Sequence, residues 1–363
     1  MQPKGVVLTH RSLCHTLNFY AALSNSSSVK REKSAHQKCV LLCVPLFHAT
    51  GLVGVLFTSF WEGRKIVLMH KWHVDTALGT IQRERVSMVT GVPTMIIELL
   101  NSPRLKEFDT SSLRNVGGGG AAVPKGIAKQ ITTTFKKASP GQGYGLTETS
   151  AISTVISSSK YLAHPASCGQ ALPGVQIEIW PEDGRGALPV NKEGRVMIRG
   201  PNIMREYWRQ PEATANAITA DGWFDSGDVG KLDAEGFLYI TDRAKDMIIR
   251  GGENISCRAV EEAVYAKVPE VAECAVFGYP HPVLGEKVAL AVMLKPGARR
   301  LSLADVRARC KDTLAAYELP TALAVFPSQL PRGATGKLLK KALRDMHKEA
   351  KLPSWTEHDA AKL

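Results

Sequence analysis

DGWFDSGDVGKLDAEGFLYITDRAKDMIIRGGENIS, residues Asp221 to Ser256, sets acidic, basic and glycine-rich signals between short apolar strands. Few folds need that combination. Gly222-Trp223-Phe224 leads into Ser226-Gly227-Asp228, which reads as a turn holding one carboxylate rigidly, and Phe237-Leu238-Tyr239-Ile240 reads as a strand delivering Asp242 and Arg243. A carboxylate accepts two hydroxyl protons at once. Asp228 therefore suits a ribose diol, with Arg243 adding donors for the same sugar or for a phosphate. Gly251-Gly252 permits backbone geometry that a side chain blocks, either for a sharp turn or for close approach of a ligand.

Further signals flank this stretch on both sides. They are Pro3-Lys4-Gly5-Val6, Pro45-Leu46-Phe47-His48, Gly143-Tyr144-Gly145-Leu146-Thr147-Glu148, Asp242-Arg243-Ala244-Lys245-Asp246, and Leu330-Pro331-Arg332 with Thr335-Gly336-Lys337. Any one is a plausible chance match. Together with Ser226-Gly227-Asp228, in this order and across nearly the whole chain, they resemble the adenylate-forming superfamily of acyl-CoA synthetases, coumarate-CoA ligases and firefly luciferases. Thr335-Gly336-Lys337 is not a P-loop, because Pro331 stands where a glycine is needed and Leu338 follows the lysine.

The resemblance implies an AMP-forming acyl-CoA synthetase, which joins a small-molecule carboxylic acid to CoA through an acyl-adenylate, using ATP, Mg2+ and CoA. It implies that Gly120, Ala121 and Ala122 line the adenine pocket, with Tyr144 as the opposing aromatic face. Asp228 and Arg243 then hold the ribose, Thr147 offers a hydroxyl to the α-phosphate, and Glu148, with Thr147 beside it, supplies hard oxygen for the metal. His48 matches the aromatic gate of the carboxylate pocket, and Lys337 the adenylation lysine. Lys245 matches the hinge about which a C-terminal domain turns to bring Gly251 and Gly252 to the CoA thiol. Read without the resemblance, His48 is a structural histidine and Lys245 and Lys337 are surface lysines. Asp225 departs from the pattern, standing where many relatives carry a basic residue or histidine.

The expected fold is an α/β N-terminal domain of layered sheet and helix with a small β-rich subdomain, followed by a small α+β domain. Boundaries are expected at residues 1–244, 245–351 and a tail at 352–363. Lys4 stands at the end of a Ser/Thr/Gly-rich phosphate loop in the family, so an N-terminal portion is expected to be missing, through a late-starting gene model or natural shortening. A non-catalytic remnant that binds nucleotide or acyl-CoA, and a luciferase-like monooxygenase, are the alternative functions. Ala361-Lys362-Leu363 resembles the Ser-Lys-Leu peroxisomal address. A peroxisome or related organelle such as the glycosome is therefore expected, with an import receptor as partner, and the cytoplasm is the alternative.

Bulk properties agree with a globular chain: 363 residues, 44% hydrophobic and 22% charged. The seven cysteines lack CxxC pairs, against a zinc site or disulfide framework. Val40 to Trp61 contains no Lys, Arg, Asp or Glu. Pro45, His48, Thr50, Gly51 and Gly54 divide it into a buried strand, a loop and a second apolar segment, so no transmembrane span is expected. The formal net charge is +12, and residues 295–351 hold 13 Lys and Arg against 5 Asp and Glu. That stretch lacks interleaved aromatics that stack on bases, so nucleic acid is not expected as a partner. A solvated basic face and attraction of the polyanions ATP and CoA are the two remaining readings.

Overall fold

The computed structural model describes residues 4–26, 37–119, 126–333 and 338–357. Gly120, Ala121, Ala122, Lys337 and the terminal Ala361-Lys362-Leu363 lie outside the described residues. The chain splits into two compact units, Met1–Ser226 with Gly230–Ile240, and Gly227–Val229 with Thr241–Leu363.

The first unit opens with β1 (Val6–Val7) and α1 (His10–Ser26), then β2 (Cys39–Leu42). A π-helical stretch, Thr50–Phe57, runs into α2 (Thr58–Trp61). Strands and helices then alternate: β3 (Lys65–Leu68), α3 (Val74–Glu84), β4 (Met88–Gly91), α4 (Pro93–Asn101), β5 (Asn115–Gly119), α5 (Ile127–Thr134) and β6 (Ser139–Tyr144). After β7 (Thr154–Ser157), α6 (Ser158–Ala163) and β8 (Gln170–Ala171), seven strands lie in the order β3-β2-β4-β5-β6-β7-β8. β2 shows why the sheet must be covered on both faces. Leu41 packs with Ile81, Val89 and Val116, whereas Val40 and Leu42 pack with Val44 and Val55, so alternate residues enter opposite cores.

The sheet is parallel from β3 to β6, whereas β7 pairs antiparallel with β6 and β8 antiparallel with β7. The link from Gly145 to Ser153 is too short for the crossover that a parallel strand requires. The Val40–Trp61 stretch divides as its glycines and proline dictate, and among the described residues no helix is long and apolar enough to cross a membrane.

The glycines of β5 answer to strand packing. A Cβ on Gly118 would lie 2.1 Å from the Gly91 carbonyl oxygen of β4. Gly118→Ala is expected to cost about 1–3 kcal/mol, the usual penalty for overpacking, read as a lower urea midpoint at unchanged slope. A midpoint equal to wild type would show that β4 yields freely.

The β-rich subdomain comprises β9 (Gln176–Trp180), β10 (Gly194–Arg199), β12 (Phe224–Leu232) and β13 (Leu238–Arg243), in the order β13-β12-β10-β9. Between β10 and β12 come β11 (Glu206–Tyr207), which pairs with β1, and α7 (Pro211–Ala217). Ser226-Gly227-Asp228, expected as a turn, lies inside β12. Gly227 adopts φ +70° there, which bends the strand without ending it.

Tyr239 on β13 donates to Asp233 Oδ2 at 3.0 Å and meets His164 Nδ1 at 3.0 Å. The phenol has a single proton and gives it to the carboxylate, so Nδ1 carries the hydrogen of the second bond. Burial, with the bond to Asp233, pushes the phenol up to about 12 from 10.0. A raised tyrosine contributes stability that is complete below the unfolded pKa, and here it is lost as pH rises from about 10 through about 12. Asp233→Asn should lower this late-ionising tyrosine only part of the way toward 10 in a spectrophotometric titration, because burial remains. An unchanged curve would contradict the assignment.

The second unit begins with the hairpin β14 (Ile248–Arg250) and β15 (Glu253–Ile255) and α8 (Cys257–Lys267). There follow β16 (Val271–His281), β17 (Gly285–Leu294), α9 (Leu303–Cys310), β18 (Ala322–Phe326), α10 (Lys340–Lys348) and β19 (Thr356–Glu357). β16 feeds two cores, Cys274 and Val276 packing with α8 and α9, and Ala275, Phe277 and Tyr279 with Leu343 of α10. α9 ends at Cys310, and beyond it the Ala315 N–H donates to Glu318 Oε2 at 2.8 Å in the turn that leads to β18.

Residues 352–357 are not a tail. Leu352 and Trp355 pack on the core beneath α10, and Thr356–Glu357 pairs with β18. Much of the basic excess of this unit is held in ion pairs: Arg299 and Arg309 with Glu270, Arg332 with Glu273, and Arg344 with Asp246. Lys340 Nζ lies 2.9 Å from Glu261, with both side chains largely buried. Burial opposes the ammonium charge, yet Glu261, with Cys257 and Asp242 behind it, holds Lys340 above the usual lysine range.

Candidate active site

In the first unit, β6 delivers Tyr144, and the chain then forms a single 3-10 turn over Thr147–Thr149. Thr149 fixes that turn, its Oγ1 accepting from the Leu146 N–H at 2.9 Å. The turn leaves Thr147 exposed and Glu148 half-buried. Tyr144 packs beside the core that includes Ile152 and Leu172. Glu148 is pinned twice. Its carbonyl accepts from the Met204 N–H at 2.7 Å, and its Oε1 accepts from the Tyr207 hydroxyl at 2.9 Å.

Tyr207 also answers for Lys4. Val6 of β1 is the register partner of Tyr207, and the Lys4 ammonium stands 4.2 Å from the centre of the Tyr207 ring. Lys4, near the start of this unit, and Glu148, in its middle, thus meet at one phenol. Burial, together with the Glu148 charge, pushes that phenol well above its ordinary pKa and keeps it a donor. The sequence reading gave Tyr207 no role.

His48 lies in the turn that precedes the π-helical stretch. Its backbone N–H donates to the Pro45 carbonyl at 3.1 Å, and its Nδ1 accepts from the Thr50 N–H at 3.3 Å. Neighbouring Phe47 is 75% exposed, a large apolar side chain left in solvent. Asp225, the departure from the family pattern, pairs with Arg195 at 2.8 Å and is thereby satisfied within the β-rich subdomain.

In the second unit, Asp228 is only 3% exposed, and Arg243 Nε approaches its Oδ1 at 3.2 Å. The Arg243 side chain is 58% exposed, so the pair has a buried carboxylate and a solvated guanidinium. Asp242 is structural: its Oδ1 accepts from the Arg243 N–H and its Oδ2 from the Arg258 N–H at the start of α8. Lys245 is exposed in the turn between β13 and β14, where the N–H groups of Asp246 and Met247 both donate to the Arg243 carbonyl. Gly251 and Gly252, with φ +61° and +90°, form the two-residue loop of the β14–β15 hairpin, in which Arg250 pairs with Glu253. Two successive positive φ values define a type I′ turn, so the sharp-turn reading accounts for both glycines.

Glu148 and the Thr147 hydroxyl are hard oxygen donors. Among the described residues no group of three or more His, Cys, Asp or Glu gathers as a metal cage, and all seven cysteines are free thiols. One carboxylate with a neighbouring hydroxyl fits Mg2+, which keeps several waters and takes its other ligands from substrate phosphates.

Residues 2–208 match the model of the AMP-binding enzyme family, and residues 261–337 match that of the AMP-binding enzyme C-terminal domain. The chain belongs to the AMP-binding enzyme family. Within it, the chain is 36% identical over 354 residues to a long-chain-fatty-acid–CoA ligase of Bacillus subtilis, covering 96% of this chain and 60% of that one. It is 35% identical over 343 residues to a feruloyl-CoA synthase of Amycolatopsis, covering 94% and 67%. Among solved structures, the o-succinylbenzoate CoA synthetase of Bacillus subtilis in complex with ATP and magnesium ion is similar, at TM-score 0.79 and 32% identity over 94% of this chain and 67% of that one. The chain thus spans about 60% of the length of the first of these family members.

Proposed function

We propose that this family member is an AMP-forming acyl-CoA synthetase. The observation that carries the reading is the Glu148 carboxylate, held by a buried phenol beside the exposed Thr147 hydroxyl, an arrangement suited to a nucleotide-bound divalent cation. Its relatives, a long-chain-fatty-acid–CoA ligase and a feruloyl-CoA synthase, share CoA in their names.

In the first half-reaction a carboxylate oxygen attacks the α-phosphorus of ATP and pyrophosphate leaves. Tyr144, with Gly120, Ala121 and Ala122, takes the adenine, Asp228 and Arg243 take the ribose, and Thr147 donates to the α-phosphate. Lys4 and Lys337 offer ammonium groups to charge that builds on phosphate and carboxylate oxygens. Glu148, with the Thr147 hydroxyl beside it, would hold Mg2+, which when bound would supply charge to neutralise phosphate oxygens. In the second half-reaction the thiol of CoA attacks the acyl carbon and AMP leaves. A turn about Lys245 that brings Gly251 and Gly252 to the thiol belongs to this proposal, as does His48 at the carboxylate pocket.

The test is to incubate the chain with ATP, Mg2+ and CoA and a panel of fatty and aryl carboxylic acids, reading acyl-CoA and AMP by mass spectrometry. Acyl-CoA formed only when ATP is present supports the proposal. Binding of AMP with no turnover of any acid would favour a non-catalytic nucleotide-binding protein.

A further inference from the structure

Tyr207 makes two contacts of opposite polarity. Its hydroxyl proton points at Glu148 Oε1 over 2.9 Å, while its ring face lies 4.2 Å from the Lys4 ammonium. An aromatic ring is negative on its face and positive at its polar proton, so one side chain satisfies a cation and an anion at separate places. The residue is itself 6% exposed, wedged with Met204 and Phe224 against Val6, Leu8 and Leu146. Its position is therefore set by packing, and the two charged side chains take their positions from it.

We propose that Tyr207 is a positioning residue that holds the Glu148 carboxylate ready for the nucleotide-bound divalent cation and holds Lys4 beside it on the ring face. A free glutamate loses the freedom of several torsions when a cation captures it, and the phenol removes part of that cost beforehand. A carboxylate has about four lone-pair sites. The single phenol proton occupies one, so the group keeps its capacity for a cation. An ordinary phenol keeps its proton at neutral pH, so the donor stays in place. Partners that orient a metal ligand commonly change metal affinity about 10–100-fold when removed.

This inference rests on the reading of Glu148 as the metal carboxylate, and the experiment separates the two. Mn2+ serves as a paramagnetic probe, its binding to the full chain in the presence of ATP being measured by water proton relaxation for wild type, Tyr207→Phe, Glu148→Gln and Glu148→Asp. Tyr207→Phe keeps the ring and the Lys4 contact and should weaken Mn2+ about tenfold, with metal-free ATP affinity unchanged. Glu148→Asp draws the carboxylate away from the phenol. In its background, Tyr207→Phe should add little further loss, a coupling that a merely structural tyrosine would not show. Wild-type Mn2+ affinity in Tyr207→Phe, with loss in Glu148→Gln, overturns the positioning role and leaves the metal reading standing. Wild-type affinity in Glu148→Gln, or no Mn2+ binding by the wild type, overturns both. Should Tyr207→Phe fail to fold, Glu148→Asp decides alone: wild-type Mn2+ affinity with the carboxylate withdrawn from the phenol would overturn the proposal.

Discussion

Lys340→Ala should destabilise the second unit by about 3–5 kcal/mol, the cost of leaving one member of a buried ion pair without its partner. The ammonium lies 2.9 Å from Glu261, and the two side chains are 17% and 18% exposed. Glu261 Oε1 also accepts from the Val276 N–H at 2.8 Å, so the carboxylate cannot leave without breaking a bond to β16. Removing the lysine therefore strands a negative charge between α8 and the sheet. Burial holds the Glu261 carboxyl above its usual range even beside the lysine, so without Lys340 it takes up a proton more readily and the loss should shrink as pH falls below neutrality. Replacing both partners by apolar residues of similar size, Lys340→Met with Glu261→Leu, should recover most of the stability. Urea unfolding checks the size of the effect, and hydrogen exchange should localise it to α8, β16 and α10. A loss under 1 kcal/mol in the single variant would mean that water reaches the pair and that burial is not what makes it matter.

The sequence made some of this architecture readable and hid the rest for identifiable reasons. A continuous apolar run carried β2, whose alternate residues enter two cores, and two adjacent glycines carried the hairpin loop at Gly251-Gly252. Ser226-Gly227-Asp228 misled because its composition is that of a turn, whereas pairing within the sheet keeps it in a strand. The contact of Tyr207 with Glu148 spans 59 residues and depends on pairing of two-residue strands, which are too short to carry any period. Lys340 looked like one lysine among many in a basic stretch. Only the fold shows that Glu261 meets it. Charge pairs between distant elements leave no local pattern, so a sequence reveals the residue types but not which of them are buried together.

Asp228→Asn should abolish most nucleotide affinity while leaving the fold intact. The carboxylate is 3% exposed and is met by Arg243 Nε at 3.2 Å, so its ionised form faces a guanidinium whose own side chain is 58% in solvent. A diol offers two hydroxyl protons, and a carboxylate accepts both with charge, whereas a neutral amide accepts one and leaves the second hydroxyl only an N–H donor. Hydrogen bonds to a charged group are worth about 1.5–3 kcal/mol each. Two of them lost or weakened amount to roughly 3–6 kcal/mol, or about two to four decades in the dissociation constant for AMP. Stability should change far less. Asparagine matches aspartate in shape, and the arginine left behind is solvated, where an exposed ion pair contributes at most about 1 kcal/mol. Arg243→Ala should accordingly cost less binding than Asp228→Asn, since the guanidinium only donates and helps orient the carboxylate, which is the acceptor. Calorimetric titration with AMP needs no knowledge of the acid substrate, and thermal melts of the same samples provide the folding control. An AMP dissociation constant within about threefold of wild type in folded Asp228→Asn would mean that the buried carboxylate holds Arg243 in place for structural reasons and does not bind ribose.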